Sequence, residues 1–454
     1  MATHETLVGT DVSPPAPAAG PFRGAYRWYV VAVLSIAYAF SAIDARVLTL
    51  LVGPIKADLG LSDFQISLLQ GFAFALLYSI AAMPIGRYVD GAARRTPLVV
   101  FGVLFWSVMT MACGLARSFG ALFLTRVGVG VGEATLSPTA YSLISDYFDK
   151  QRRALAISCY AIGYPIGGGL ALIISGLLLE RFTRSGPVDM GFLGTLSPWQ
   201  MVFVAVGAPG IIIALLVATI KEPPRSETGG LGLAGGVPIR QVVSYIAERW
   251  RLYGMLMGVT SLSGLLAIGT SLWYPTFLIR TYGMTAGQVG LYYGTLMLVC
   301  GTVGTIAGGW FSGVLLRRGR TDGNLRIVLF TTVVKALPLV VGPLMPTAFG
   351  ALAFMTVGTL VGQAAQGVLL SAIQDVTPNR LRGQVTAMTL LLVNLIGLGL
   401  GSSIIAAITD FGFGDENALR YSIAITGALM LPVMAIMLMA GMRRYREAVA
   451  ALER

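Results

Sequence analysis

Apolar residues arrive in this chain in unbroken runs of about twenty, the length a helix needs to cross the ~30 Å hydrocarbon layer of a bilayer. Twelve such runs lie near 28–52, 64–85, 97–116, 119–141, 154–179, 199–219, 254–280, 287–316, 326–346, 348–375, 382–408 and 417–442. They are continuous rather than alternating, which selects helices over the ~10-residue strands of a membrane barrel. Charged residues make up 12% of the chain and hydrophobic ones 55%, whereas soluble domains carry ~25% charge. A water-soluble fold cannot hide that much apolar surface, and the low charge excludes disorder. The expected fold class is therefore an all-α membrane protein with twelve transmembrane helices in two six-helix pseudo-symmetric bundles.

Lysine and arginine set the expected orientation, because short cytoplasmic loops collect them. With both termini cytoplasmic, most of the 32 Lys and Arg residues fall on the inner side. The net charge of +11 thus belongs to loops and implies no nucleic-acid partner. Residues 1–27 are Pro/Ala-rich, lack the apolar core of a signal peptide and are expected to be a disordered cytoplasmic tail. The bundles are expected over 28–219 and 254–442, with a cytoplasmic linker at 220–253 and a C-terminal tail at 443–454. Val242, Ile246 and Trp250 stand four apart in the linker, as in a short interfacial helix.

The halves repeat each other. Gly86-x3-Asp90-x3-Arg94-Arg95 follows the second span, and Gly309-x3-Gly313-x3-Arg317-Arg318 follows the eighth. Ser142-Leu-Ile-Ser-Asp146 precedes Arg153, and Ser371-Ala-Ile-Gln-Asp375 precedes Arg382, with the Asp-to-Arg spacing the same in both copies. Six plus six spans with duplicated loops is the layout of carriers that rock two halves about a central site.

His4 is the sole histidine, and Cys113, Cys159 and Cys300 all lie in apolar runs. No metal, cofactor, disulfide framework or enzymatic nucleophile–base pair is expected. The glycines of Gly128-Val-Gly-Val-Gly-Glu133 sit in mid-span with no strand and no Lys-Ser/Thr, so they read as helix-packing residues and not as a nucleotide loop. The energy for any transport must then come from a gradient.

A charge inside a span costs ~2.5–3.5 kcal/mol or more at the centre and needs a reason. Asp44 lies ~24 Å along the first span, and Arg126 and Glu133 lie ~10 and ~20 Å below the outer surface along the fourth. Asp44 and Arg126 are therefore at similar depth, while Arg126 and Glu133, seven apart, share a helix face. An inert Asp44–Arg126 ion pair is one reading; carboxylates that exchange protons beside an anion-binding arginine are the other. Arg46 is either a second anion ligand or a snorkelling residue, and Lys335 fits snorkelling better than substrate contact. Trp273, Tyr274, Gln363, Gln366 and Asn394 either line the C-terminal wall of a binding site or serve interhelical contacts and interfacial anchoring.

GRYVDGAARR (86–95), RVGVGVGE (126–133) and GYPIGGG (163–169) resemble signatures of the major facilitator superfamily. The stretches at 50–90 and 126–148, with the acidic residue of the first span, resemble the Spinster-like lipid transporters more narrowly; Ala45 between Asp44 and Arg46 departs from their adjacent Asp-Arg pair. The resemblance implies a monomeric secondary transporter of the bacterial inner membrane, moving an amphipathic anionic lipid such as a lysophospholipid or sphingoid phosphate with protons. Multidrug or small organic anion transport with protons is the alternative. It also implies a cavity lined by spans one and four, with Asp44 and Glu133 coupling protons. Arg126, Arg46, Ser137 and Tyr164 would then contact substrate. Gly86, Asp90, Arg94, Arg95, Asp146, Arg152 and Arg153 would form a cytoplasmic latch between the halves.

Overall fold

In a computed structural model that describes residues 24–191, 194–224, 238–318, 322–378 and 380–452, twelve helices are long and apolar enough to span a membrane. They are α1 (Ala25–Leu59), α2 (Asp63–Val89), α3 (Thr96–Cys113), α4 (Phe119–Tyr147), α5 (Gln151–Ser185), α6 (Pro198–Ala218), α7 (Trp250–Tyr282), α8 (Ala286–Leu315), α9 (Gly323–Leu344), α10 (Ala348–Asp375), α11 (Arg382–Phe413) and α12 (Glu416–Leu452). The expected N-terminal tail, up to residue 23, and the middle of the linker, 225–237, lie outside the described residues.

Short connections force neighbours to run antiparallel, and the pairings in one half recur six helices later. α1 packs on α5, α2 on α4, and α3 on α4 and α6; α7 packs on α11, α8 on α10, and α9 on α10 and α12. The halves meet through α5 against α8, its counterpart α2 against α11, and α1 against α7. Glycine makes the first of these contacts close. A Cβ on Gly176 would stand 2.5 Å from the Ala286 carbonyl oxygen, and one on Gly290 would stand 2.4 Å from that of Leu172. Small residues let helix backbones approach this closely where lipid supplies no hydrophobic drive.

Several helix starts on the face remote from the termini are written in the sequence. Ser62 with Gln65 and Ser197 with Gln200 each form a reciprocal capping box, satisfying amides that a helix start leaves orphaned. Helix α1 begins a turn earlier and ends two turns later than the apolar run predicts, because Lys56 is admitted by acidic partners described below. At the other end, residues 443–452 continue α12 instead of forming a free tail. Tyr445 donates to Asp375 at 2.8 Å and Arg446 to Asp322 at 2.7 Å, which docks this last segment. A separate helix, Ile239–Glu248, precedes α7 and buries Val242.

The duplicated loop signature has a structural explanation. Arg153 donates to the Ser145 carbonyl at 3.0 Å, and Arg382 donates to the Gln374 carbonyl at 2.9 Å. In both halves the arginine seven residues after the aspartate reaches back to the carbonyl just before it. A cation there satisfies the exposed carbonyls of a helix C-terminus and opposes its dipole. The aspartates then anchor a neighbouring helix: Asp146 accepts from Arg95 at 2.6 Å, and Asp375 accepts from Asn324 at 2.7 Å.

Arg95 also donates to Glu222 at 2.8 Å, and that carboxylate accepts from the Arg95 and Thr96 amides and the Thr96 hydroxyl. Burial alone would raise the Glu222 carboxyl, but these donors hold it below its ordinary value. A depressed carboxyl contributes stability that is present above its unfolded value and lost as pH falls through the folded one. Glu222→Gln should therefore lower the melting temperature of detergent-solubilised protein at pH 7, and the difference should close as the pH is taken below the ordinary glutamate range. An equal deficit at both pH values would refute this role.

Candidate functional site

A cavity of about 550 Å³ lies between the halves. Its N-terminal wall comes from α1, α2, α4 and α5, and its C-terminal wall from α7, α8, α10 and α11. The N-terminal wall carries Tyr38, Ser41, Arg46, Gln70, Tyr78, Glu133, Ser137 and Tyr164; the opposite wall carries Ser271, Gln363, Gln366 and Asn394 among Ile268, Leu272, Met297, Leu390, Val393 and Leu398. Among the residues lining the main cavity the charged ones stand on one wall, and amides with aliphatic side chains form most of the other.

The local backbone helps to present these groups. The α-helical bonding of α2 widens to a π-helical turn over Leu68–Phe72, which contains Gln70, and that of α11 widens over Val393–Leu400, which contains Asn394. Such turns recur at functional sites because they re-aim side chains. Tyr38 stacks on Tyr160 with ring centroids 4.7 Å apart and approaches Tyr164 at 5.0 Å. Ser137 shares a 3.3 Å hydrogen bond with Tyr160. A tyrosine-lined patch therefore flanks the charged residues.

The expected cluster of Asp44, Arg126 and Glu133 needs correcting in its facing. Glu133 is on the cavity wall and accepts a short hydrogen bond from Ser41. Asp44 and Arg126 are fully buried behind that wall. Arg126 does not form the ion pair with the Asp44 carboxylate that one of the two readings required. It donates instead to the main-chain carbonyls of Asp44 at 3.0 Å and Ala45 at 3.3 Å, just before Val47 interrupts the helix. Neither Asp44 carboxylate oxygen has a hydrogen-bond partner. The guanidinium available to a ligand is Arg46, since two residues along a helix turn the side chain by about 200°.

The aromatic candidates of α7 divide. Trp273 is fully buried and donates to the Ser402 carbonyl at 2.9 Å, so it ties α7 to α11 and is absent from the cavity wall. Tyr274 faces a smaller side pocket that also contains Lys335. Lys335 accordingly points into the C-terminal bundle, and the snorkelling expectation is overturned. Gln70, Tyr38 and Tyr78 are cavity residues that the sequence reading did not select. Gln70, a buried glutamine in mid-span whose amide has no hydrogen-bond partner, carried the signal that could have found it.

The expected latch residues lie at the face bearing the termini. Gly86 is on α2 and Asp90 directly follows its last residue, with the Asp90 side chain outside the described residues; Arg94 and Arg152 are exposed. Arg95, Asp146 and Arg153 make the intra-half bonds described above. At the opposite face the halves are joined by an ion-pair network. Asp63, fully buried, accepts from Arg280 at 2.6 and 2.8 Å and from Lys56 at 2.5 Å, while Lys56 also reaches Glu416 at 2.6 Å. The Phe64 amide donates to Asp410 at 2.7 Å, and Ser67 donates to Ser403 at 3.1 Å one turn deeper.

Comparison with known proteins agrees with this architecture. The chain is similar to an MFS-type efflux pump of Mycolicibacterium smegmatis, 28% identical over 457 residues and covering 98% of each chain. It is also similar to the D-galactonate transporter of Escherichia coli, 26% identical over 449 residues, covering 91% of this chain and 96% of that one. A crystal structure of a bacterial homologue of the human lysosomal transporter Spinster, inward-facing and occupied, superposes with a TM-score of 0.75 at 25% identity, covering 94% of this chain and 97% of that chain. The family model described as Major Facilitator Superfamily matches residues 34–402, most of the chain, which therefore belongs to that superfamily as a multi-pass membrane transporter.

Proposed function

We propose that this protein is a proton-coupled carrier of an amphipathic organic anion, with a lysophospholipid or sphingoid phosphate as the leading substrate class. The observation that carries the reading is the split cavity. Arg46 and Glu133 stand on one wall, and aliphatic side chains interspersed with amides form the other. An anionic head group held by a guanidinium fork would leave its apolar body against α7 and α11. Proton exchange would belong to Glu133 and Asp44, which share the buried space around Arg126. Burying a carboxylate is costly in its charged form, so proton occupancy would follow the arrival of an anion at Arg46. Both termini are taken as cytoplasmic, as the lysine and arginine bias indicates, and the sealed face is then the outer one. Asp90, Arg94, Arg95, Asp146, Arg152 and Arg153 would join the halves on the inner side when that outer seal opens.

A second reading, transport of a small sugar acid, is favoured by Gln70, Gln363, Gln366 and Asn394, whose amides suit a ligand rich in hydroxyls. The relative named as a D-galactonate transporter supports the same class. Proteoliposomes given lysophosphatidate or an aldonic acid, with and without an imposed proton gradient, separate the two. Gradient-dependent movement of the lysolipid supports the first reading. Movement of the aldonic acid alone supports the second, and movement of neither refutes organic-anion transport. In either case Arg46→Ala should raise KM about 10- to 100-fold, the usual worth of a charged hydrogen bond. An unchanged KM would remove Arg46 from the site.

A further inference from the structure

Lys335 lies near the middle of α9 and has no hydrogen-bond or ion-pair partner among the described residues. Its ammonium does not escape to an interface. It enters a pocket of about 50 Å³ enclosed by α7, α8, α9 and α10 and lined by Thr270, Tyr274, Tyr293, Thr359 and Gln363. Gly362 packs beside it: a Cβ placed there would be in ordinary contact with the Lys335 nitrogen, at 3.4 Å. An ammonium held in a protein-lined pocket within the membrane, with no acidic residue to answer it, calls for a counter-charge from outside the chain. The pocket is a recess of the central cavity, since Ala267, Ser271, Met297 and Gln363 line both. Its volume suits a few water-sized atoms, hence one small anionic group and not a whole substrate. Tyr293, lining the recess edge-on to Tyr274 with ring centroids 5.8 Å apart, adds a polar rim.

We infer that the Lys335 recess is a second anion subsite, opposite Arg46, that receives one small anionic group. This rests on the second, sugar-acid reading above and narrows it. The group has two sources: a second charged end of the transported molecule, or a free inorganic anion. A carrier with two such cations prefers substrates with a charge at each end, and the single-cation alternative does not.

The test compares a six-carbon aldaric acid, with two carboxylates, against the matching aldonic acid, with one, as competitors and as transported solutes in proteoliposomes. Chloride alone serves as the inorganic probe, read by thermal shift of the detergent-solubilised protein. With the wild type, the dicarboxylate should compete at least tenfold better than the monocarboxylate. Lys335→Met should abolish that preference while leaving monocarboxylate binding in place, and Lys335→Arg should partly restore it. If the free ion is the occupant, chloride should raise the melting temperature of the wild type and not of Lys335→Met, with no dicarboxylate preference. If the variant alters neither preference nor chloride response, the subsite does not exist. Loss of all anion transport in the wild type would count against the carrier reading itself, whereas the chloride response reads Lys335 independently.

Discussion

Glu133→Gln should abolish proton-driven accumulation of substrate while leaving energy-independent exchange across the membrane. Glutamine keeps the size of the side chain and can still accept from Ser41, which donates to the native carboxylate. What it loses is the ability to gain and release a proton at the cavity wall. Coupling between two ligands is commonly worth 1–3 kcal/mol, so gradient-driven accumulation should fall about 5- to 150-fold toward the exchange level. Asp44→Asn should give the same phenotype if the two carboxyls act as a unit, because Asp44 is fully buried close behind and shares its electrostatic surroundings with Glu133 and Arg126. Measuring accumulation under an imposed pH difference, alongside counterflow with no gradient, separates coupling from binding. Full accumulation by both variants would end the assignment. Loss of counterflow as well would identify Glu133 as a substrate ligand instead of a coupling group.

The twelve spans were legible because a bilayer demands about twenty apolar residues at a stretch, and the repeat was legible because its capping arginines keep their spacing. Facing was harder to read. Depth along a helix follows from counting residues, but the side of the helix follows from periodicity, and a span apolar on every side carries almost none. Arg126 and Arg46 illustrate the consequence: both lie at plausible depth, yet one binds main-chain carbonyls of α1 and the other meets the cavity. Lys335 is a third case: its depth fits snorkelling, yet the fold turns it into the C-terminal bundle. Asn394, Gln363 and Gln366 lie on the cavity wall, and an amide in an apolar run stands out in the sequence whichever way it faces. The seal at the face opposite the termini is not legible in the sequence. Lys56, Asp63, Arg280 and Glu416 sit in or beside short loops, where charged residues ordinarily face water, and only folding brings partners 217 and 360 residues apart into one network.

That network provides the second large effect. Asp63→Ala should open the sealed face. Asp63 is fully buried and takes three charge-assisted hydrogen bonds, two from Arg280 in the other half. Removing it leaves Lys56 and Arg280 close together with only the exposed Glu416 between them. Deleting one partner of a buried pair typically costs 3–5 kcal/mol, chiefly through the charges left uncompensated. The alternative conformation can relieve that cost by letting both cations reach water, so the penalty acts on the sealed state and not on folding in general. Since 1.4 kcal/mol is tenfold, the equilibrium should move by a hundredfold or more. Spin labels at Ser62→Cys and Asp415→Cys, in a background lacking Cys113, Cys159 and Cys300, would report the distance across the seal. One short distance in the parent should become a distribution dominated by a longer one in Asp63→Ala. Asp63→Glu, which keeps the charge, should retain the short distance, and this distinguishes gating from a packing defect. An unchanged distribution in Asp63→Ala would mean that the helix contacts at Gly176 and Gly290, not the ion pairs, hold the sealed face shut.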